Sequence, residues 1–367
     1  MGKAEKTELN RSLTAHLNTI QETLQVLDQT ASSSLEKVTW TQVILIAEQL
    51  SKQATIAGML WNGEAPEAKQ LEENMTSYFN VLQGFLLLSH GSNVGAGPTL
   101  SSSIHESVKQ VVDCSFRLMK ESVSLYAGSH NRDKKLLMPR FVGAVWEACD
   151  ALKKVPATNV IAIGRAMTQV AVSVKDVLRE MKELKPASPD LRDEASDGSS
   201  SKVESRPQDD DGDDLSEDDI GSDLSPEEMK VAQLAQGVVS ETLVTIKELI
   251  RTITGLLKQE TPDDNSKFVD SLEKLLKLCQ GVGAQVDEIG ACLYPPQEIA
   301  AIKVALEKMS SGINEVEQEV ESFQTSSECL GEACNGLRTL LKQMLSELDC
   351  SSTTDLANKL QNVAVIN

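Results

Sequence analysis

Between Phe268 and Leu293 the apolar residues fall at alternating steps of four and three, through Leu272, Leu275, Cys279, Val282, Val286 and Ile289. That spacing follows the 3.6-residue turn of an α-helix and puts every one of these side chains on a single stripe. A strand would need a period of two. The next stretch repeats the pattern: Ile299, Ile302, Leu306, Met309, Ile313, Val316, Val320 and Phe323 again advance by three and four. A helix of 28 residues is about 42 Å long. With one apolar stripe it hides that stripe only against similar helices, as antiparallel bundles do.

The remaining segments follow the same logic. "SPEE" opens a helix, with Ser225 as N-cap, Pro226 at the first helical position, and Glu227 and Glu228 against the positive end of the dipole. Its stripe runs through Ala235, Val239, Ile246, Leu249, Ile253 and Leu256 to about Lys258. A last helix is predicted from Cys334 to Leu348. Upstream, Leu9, Leu13, Leu17, Ile20, Leu24 and Leu27 mark one helix, and Trp40, Val43, Ala47, Leu50, Ala54 and Ala57 another. Further helices are predicted from Glu67 to Ser89, Leu100 to Tyr126, Met138 to Lys154 and Thr158 to Leu184. Aromatic residues make up only 3% of the chain, and no segment reads as a strand. The predicted fold class is all-α, two antiparallel helical bundles.

One break stands out, "ACLYPPQEIA". Neither Pro295 nor Pro296 fits a helix interior, and each turns the residue before it away from helical geometry. Tyr294, Pro295 and Pro296 are therefore predicted to form a stiff structural corner. Pro296 suits the first turn of the following helix, with Gln297 and Glu298 facing its positive end.

A second break is compositional. Apolar residues almost vanish between Pro186 and Gly221, and Asp209 to Glu228 holds eleven acidic residues and no basic one. Such a stretch cannot bury enough apolar surface to offset the entropy of ordering it. The predicted organisation is an N-terminal bundle over 1–185, an acidic disordered linker over 186–224, a C-terminal bundle over 225–350 and a tail over 351–367. The linker reads as a self-repelling tether. It also reads as a regulatory tract, because Ser216 and Ser225 stand before acidic residues and are candidate phosphosites. Phosphate at Ser225 would be expected to reinforce the helix cap.

Composition excludes several functions. A net charge of −20 leaves no clustered basic surface for nucleic acid and makes an anionic membrane an unfavourable partner. No apolar run approaches the roughly 18 residues of a membrane span. The start, "MGKAEKTELN", has no apolar signal core, and Lys6 stands where a myristoylation motif wants Ser or Thr. Seven scattered cysteines suit a reducing compartment better than a disulfide framework. Four dispersed histidines and the Cys329/Cys334 pair offer no metal-ligand spacing. "GSNVGAGPT" lacks the lysine of a phosphate loop, and its Pro98 removes a donor; it reads as a plain loop. "GVGAQV" (Gly281 to Val286) sits in mid-helix without a preceding strand, so it reads as a close-packing point. No nucleophile with a paired base can be assembled, and neither an enzyme nor a cofactor is expected.

Several segments together carry a resemblance. "LYPPQEIAAIKVALEKM", after a helix ending "VDEIGACL", resembles the Tyr-Pro-Pro segment of the cyclin-D-binding protein family, also called maternal-Id-like or cyclin-D-interacting protein. "VTWTQVILIAEQLSKQATIAGMLW", "AGPTLSSSIHESVKQVVDCSFRLMK" and "VGAVWEACDALKKVP" resemble other segments of that family, in the same order, with an acidic tract between the halves. The resemblance implies two helical bundles of talin and vinculin type. It implies a non-enzymatic regulator that binds D-type cyclins and helix-loop-helix transcription factors, restrains cell-cycle progression and transcription, and occupies nucleus and cytoplasm. No basic helix precedes a heptad helix, in keeping with a family that lacks a DNA-contacting region. The alternative implied by the architecture is a cytoskeletal or scaffolding adaptor.

Overall fold

The computed structural model describes residues 2–27, 35–63, 65–127, 136–186, 223–256, 266–323 and 328–364. All but the last helix come close to their expected bounds. They are α1 (Gly2–Leu27), α2 (Trp40–Met59), α3 (Ala68–Ser92), α4 (Pro98–Ala127), α5 (Met138–Ala151) and α6 (Asn159–Glu183), with a 3₁₀ turn at Leu152–Lys154 after α5. The second half contributes α7 (Pro226–Leu256), α8 (Ser266–Cys292), α9 (Ile299–Glu321) and α10 (Glu328–Ala364). The fold is all-α, as expected. Among the described residues the one strand pairing is a two-residue parallel ladder, β1 (Lys185–Pro186) against β2 (Asp223–Leu224). It is too short for any sequence period to announce. Helix α10 continues past Leu348 to Ala364, through part of the stretch set apart as a tail. Most of the acidic linker, including Ser216, lies outside the described residues.

The chain forms two compact units. One comprises Met1–Arg165 with Leu256–Glu273, the other Ala166–Gly255 with Lys274–Asn367. Packing therefore divides the molecule otherwise than the linker does, since most of α6 belongs to the second unit. The reason is visible in two glycines of α8. A Cβ on Gly283 would lie 2.7 Å from Val170, and one on Gly290 would lie 2.8 Å from Val177. Their bare backbones admit α6, and "GVGAQV" is the close-packing point its position suggested.

In the first unit the core is built from Met75, Tyr78, Leu82 and Phe85 of α3 with Val108 and Val111 of α4, all fully buried. The Tyr78 hydroxyl donates to Ser115 Oγ (2.9 Å), and Ser115 Oγ donates to the Val111 carbonyl (2.7 Å), so the one polar atom of this buried ring is satisfied. In the second unit the four-and-three stripes meet as predicted. Leu275, Cys279, Val286 and Ile289 of α8 are buried, as are Ile302, Leu306, Met309 and Ile313 of α9 and Leu337, Leu341 and Met344 of α10. No helix among the described residues is long and apolar enough to cross a membrane.

Candidate protein-interaction surfaces

Helix α2 carries more apolar residues than its buried stripe can use. Val43, Ala47, Leu50, Ala54 and Ala57 face the core, whereas Leu45, Ile56 and Met59 are exposed. The last two lie eleven and fourteen residues after Leu45, near whole multiples of the 3.6-residue turn, so all three share one outward face. Helix α5 lies alongside, brought close by Gly58, where a Cβ would stand 2.7 Å from Val142. From α5 comes Trp146, 47% exposed. Its indole N–H donates to the Ser51 carbonyl (3.2 Å) and the Thr55 hydroxyl (3.1 Å) of α2. These bonds fix an aromatic side chain that otherwise has no reason to stay at the surface. Trp40 behaves differently: it is buried, and its N–H donates to the Leu152 carbonyl (3.0 Å). Trp146 is held half-open against α2 in a cleft lined by Glu48, Ser51, Lys52, Glu147 and Asp150, and α2 itself exposes Leu45, Ile56 and Met59. Exposed apolar groups on a fixed helical support are the material of a binding anchor. The sequence signal for it is the run "VILIAEQ", richer in apolar residues than one stripe requires.

The Tyr-Pro-Pro corner lies in the second unit, between α8 and α9. Tyr294 is exposed and borders a groove of about 360 Å³ with Val177, Met181 and Leu184 on one side and Gly290 and Ala291 on the other. Pro296 is not in the first turn of the next helix, because α9 starts at Ile299 with Glu298 preceding it as the cap residue. The Gln297 side chain instead donates to the carbonyls of Glu228 (3.0 Å) and Leu293 (3.1 Å), tying the corner to the start of α7. There the predicted cap forms in full. Ser225 N–H donates to the Glu228 carboxylate (2.9 Å), and Glu228 N–H donates to Ser225 Oγ (3.3 Å). Those bonds from Ser225 hold the Glu228 carboxyl below its usual range. Two of the predicted site groups, Ser225 and the corner, are thus neighbours. Ser225 Oγ, the atom a phosphate would occupy, already accepts the Glu228 N–H in this cap.

The glycine-rich loop before α4 is closed by the protein's own groups. Gly97 N–H donates to Asn159 Oδ1 (2.7 Å), while Thr99 N–H and Thr99 Oγ1 donate to the two carboxylate oxygens of Glu273 (2.8 and 2.7 Å). The orphan donors that a phosphate would seek are satisfied by a side chain 174 residues away. Nothing near residue 99 in the sequence points to Glu273.

Three buried thiols and one histidine suit packing. Burial pushes the thiols of Cys279 and Cys334 up to about 12 and that of Cys149 up to about 11, which keeps them protonated and poorly nucleophilic. His16 stacks on Phe79 at 5.0 Å, and burial lowers its pKa. Among the described residues no group of three or more His, Cys, Asp and Glu could hold a metal ion.

Comparison with known proteins adds a lineage to this geometry. A family model described as "Grap2 and cyclin-D-interacting, N-terminal" matches residues 42–187, and its C-terminal counterpart matches residues 208–318. The chain is similar to the Cyclin-D1-binding protein 1 homolog of Xenopus laevis, 26% identical over 223 residues, which span 60% of each protein.

Proposed function

We propose that this chain, which belongs to the Grap2 and cyclin-D-interacting family, is a non-enzymatic protein-binding regulator whose partner is a D-type cyclin. Helix-loop-helix transcription factors form a second class of partner. By holding these proteins it restrains cell-cycle progression and transcription, in both nucleus and cytoplasm. The observation that carries the reading is the outward face of α2 with Trp146. It is an apolar anchor group on a rigid helical support, in a chain whose family is described by its interactions. Such a face suits helix-in-groove recognition, in which a few buried aromatic and aliphatic anchors supply most of the affinity.

The test is titration calorimetry of the full chain against a purified D-type cyclin, with Trp146→Ala and Ile56→Glu as variants and Val304→Glu, an exposed apolar site in the second unit, as control. Micromolar binding, weakened at least tenfold by the first two variants and unchanged by the control, is the expected result. Absence of binding by the wild-type chain would remove the cyclin assignment. Equal loss in all three variants would remove the α2–α5 face.

A further inference from the structure

Away from that face, α4 and α5 enclose a second groove, of about 530 Å³. Its lining comes from Cys114 of α4, from Leu137 just before α5, and from Phe141, Gly143 and Ala144 of α5. Residues 137, 141 and 144 step by four and three, so a continuous apolar face of α5 forms the floor. Gly143 leaves open space where a side chain would stand, which lets an incoming backbone approach closely. At one end the apolar surface continues through Leu136, 74% exposed, and Leu137, 44% exposed. The surface is therefore longer than the groove alone.

The rim is charged, and unevenly so. Arg117 and Arg140 both line the groove, and neither has a carboxylate within ion-pair distance among the described residues. Glu147, seven residues beyond Arg140 on α5, is the one acidic lining residue, and Asp113 stands close to Cys114 on α4. Neither guanidinium is thus committed to a carboxylate among the described residues. A guanidinium offers a planar fork that matches a carboxylate through two parallel hydrogen bonds. Here two forks border an apolar floor.

We infer that the α4–α5 groove receives an amphipathic helix of a partner protein, one that carries carboxylates beside its apolar anchors. Anchors at i, i+3 or i+4, and i+7 lie along Leu137, Phe141 and Ala144. Carboxylates of the partner helix meet Arg117 and Arg140, while its residues over Glu147 are neutral or basic. This inference is independent of the cyclin reading: it concerns a different face, and its test uses no cyclin.

The probe is a fluorescein-labelled synthetic 18-residue peptide with leucines at helical spacing and glutamates flanking its first two turns. Its twin carries lysines in place of the glutamates. Fluorescence anisotropy against the full-length chain should give at least tenfold tighter binding of the glutamate peptide, with the gap narrowing as salt is raised. The double variant Arg117→Glu/Arg140→Glu should reverse the order of the two peptides, and Gly143→Leu should weaken both. All three positions are at the surface or open, and circular dichroism is to be recorded on each variant as the check that it folds. Equal binding of the two peptides by the wild-type chain, or an order unchanged by the double reversal, would overturn the inference. So would tighter binding of a peptide copying residues 209–228, which would give the groove to the chain's own acidic tract. A wild-type dimer in sedimentation that Gly143→Leu dissociates would give it to a second copy, with the same consequence.

Discussion

Helices α4 and α7 both begin at a proline, and both starts lean on a glutamate, yet the two glutamates come from very different places. At α7 the carboxylate is that of Glu228, three residues along, which exchanges hydrogen bonds with Ser225. At α4 it is that of Glu273, which reaches across the first unit to the backbone and hydroxyl of Thr99. The first is a local cap that a short peptide could form. The second exists only once Leu256–Glu273 has packed into the unit, so it acts as a fastener between distant segments. Equal chemistry does different work according to how much chain it closes.

That contrast can be broken at its strongest point first. Gly97 sits where a side chain would run into Val269 (2.6 Å) and Glu273 Oε1 (2.8 Å). Gly97→Val should therefore wedge the distant segment away and cost about 3 kcal/mol. All three tryptophans lie in the first unit, so the loss should show as an earlier denaturation midpoint by tryptophan fluorescence. Glu273→Ala keeps the space but strips the carboxylate from Thr99, and should cost about 2 kcal/mol by the same readout. If its midpoint matched wild type, the fastener would be ornamental.

The local cap should yield less. Ser225→Ala is expected to lower stability by about 1 kcal/mol, read by circular dichroism at 222 nm, with the tryptophan signal of the first unit as internal reference. The smallest effect is one of acidity. Because the folded-state pKa of Glu228 lies below its ordinary value of 4.5, its contribution is complete above that value and disappears as the pH falls through the folded one. The stability gap between wild type and Glu228→Gln, measured by urea denaturation from about pH 7 to about pH 3, should stay constant at first and then close. A gap that held constant to the acid end would show that the carboxylate charge plays no part in the cap.

The same division of near and far explains what the sequence made legible. The helices announced themselves because periodicity, caps and prolines are local features of the chain. The four-and-three runs located α8 and α9 almost to the residue, whereas α10 overruns its predicted Cys334–Leu348 at both ends. Ser225 and Glu228 belonged to that class. Glu273 did not, because no local pattern says which carboxylate will meet Thr99. Nor could the stripe of α6 reveal that Val170 and Val177 would face Gly283 and Gly290 and so join the second unit. The corner was half legible. Its prolines fixed the break, while Gln297 found its acceptors at Leu293 and on α7, and α9 began three residues later than Pro296. On the surface, Trp146 was visible as a residue but not as an anchor, since exposure is a property of the packed helices.

The small ladder between Lys185–Pro186 and Asp223–Leu224 changes what a break in the acidic tract would mean. Its two flanks are already side by side, and Ala166–Glu183 is built into the second unit together with Pro226–Gly255. A protease that severed the tract would thus open a loop without releasing a half. Two polypeptides would remain interleaved, migrating as one species until denatured, and the same two pieces made separately would have to find each other before the second unit could form.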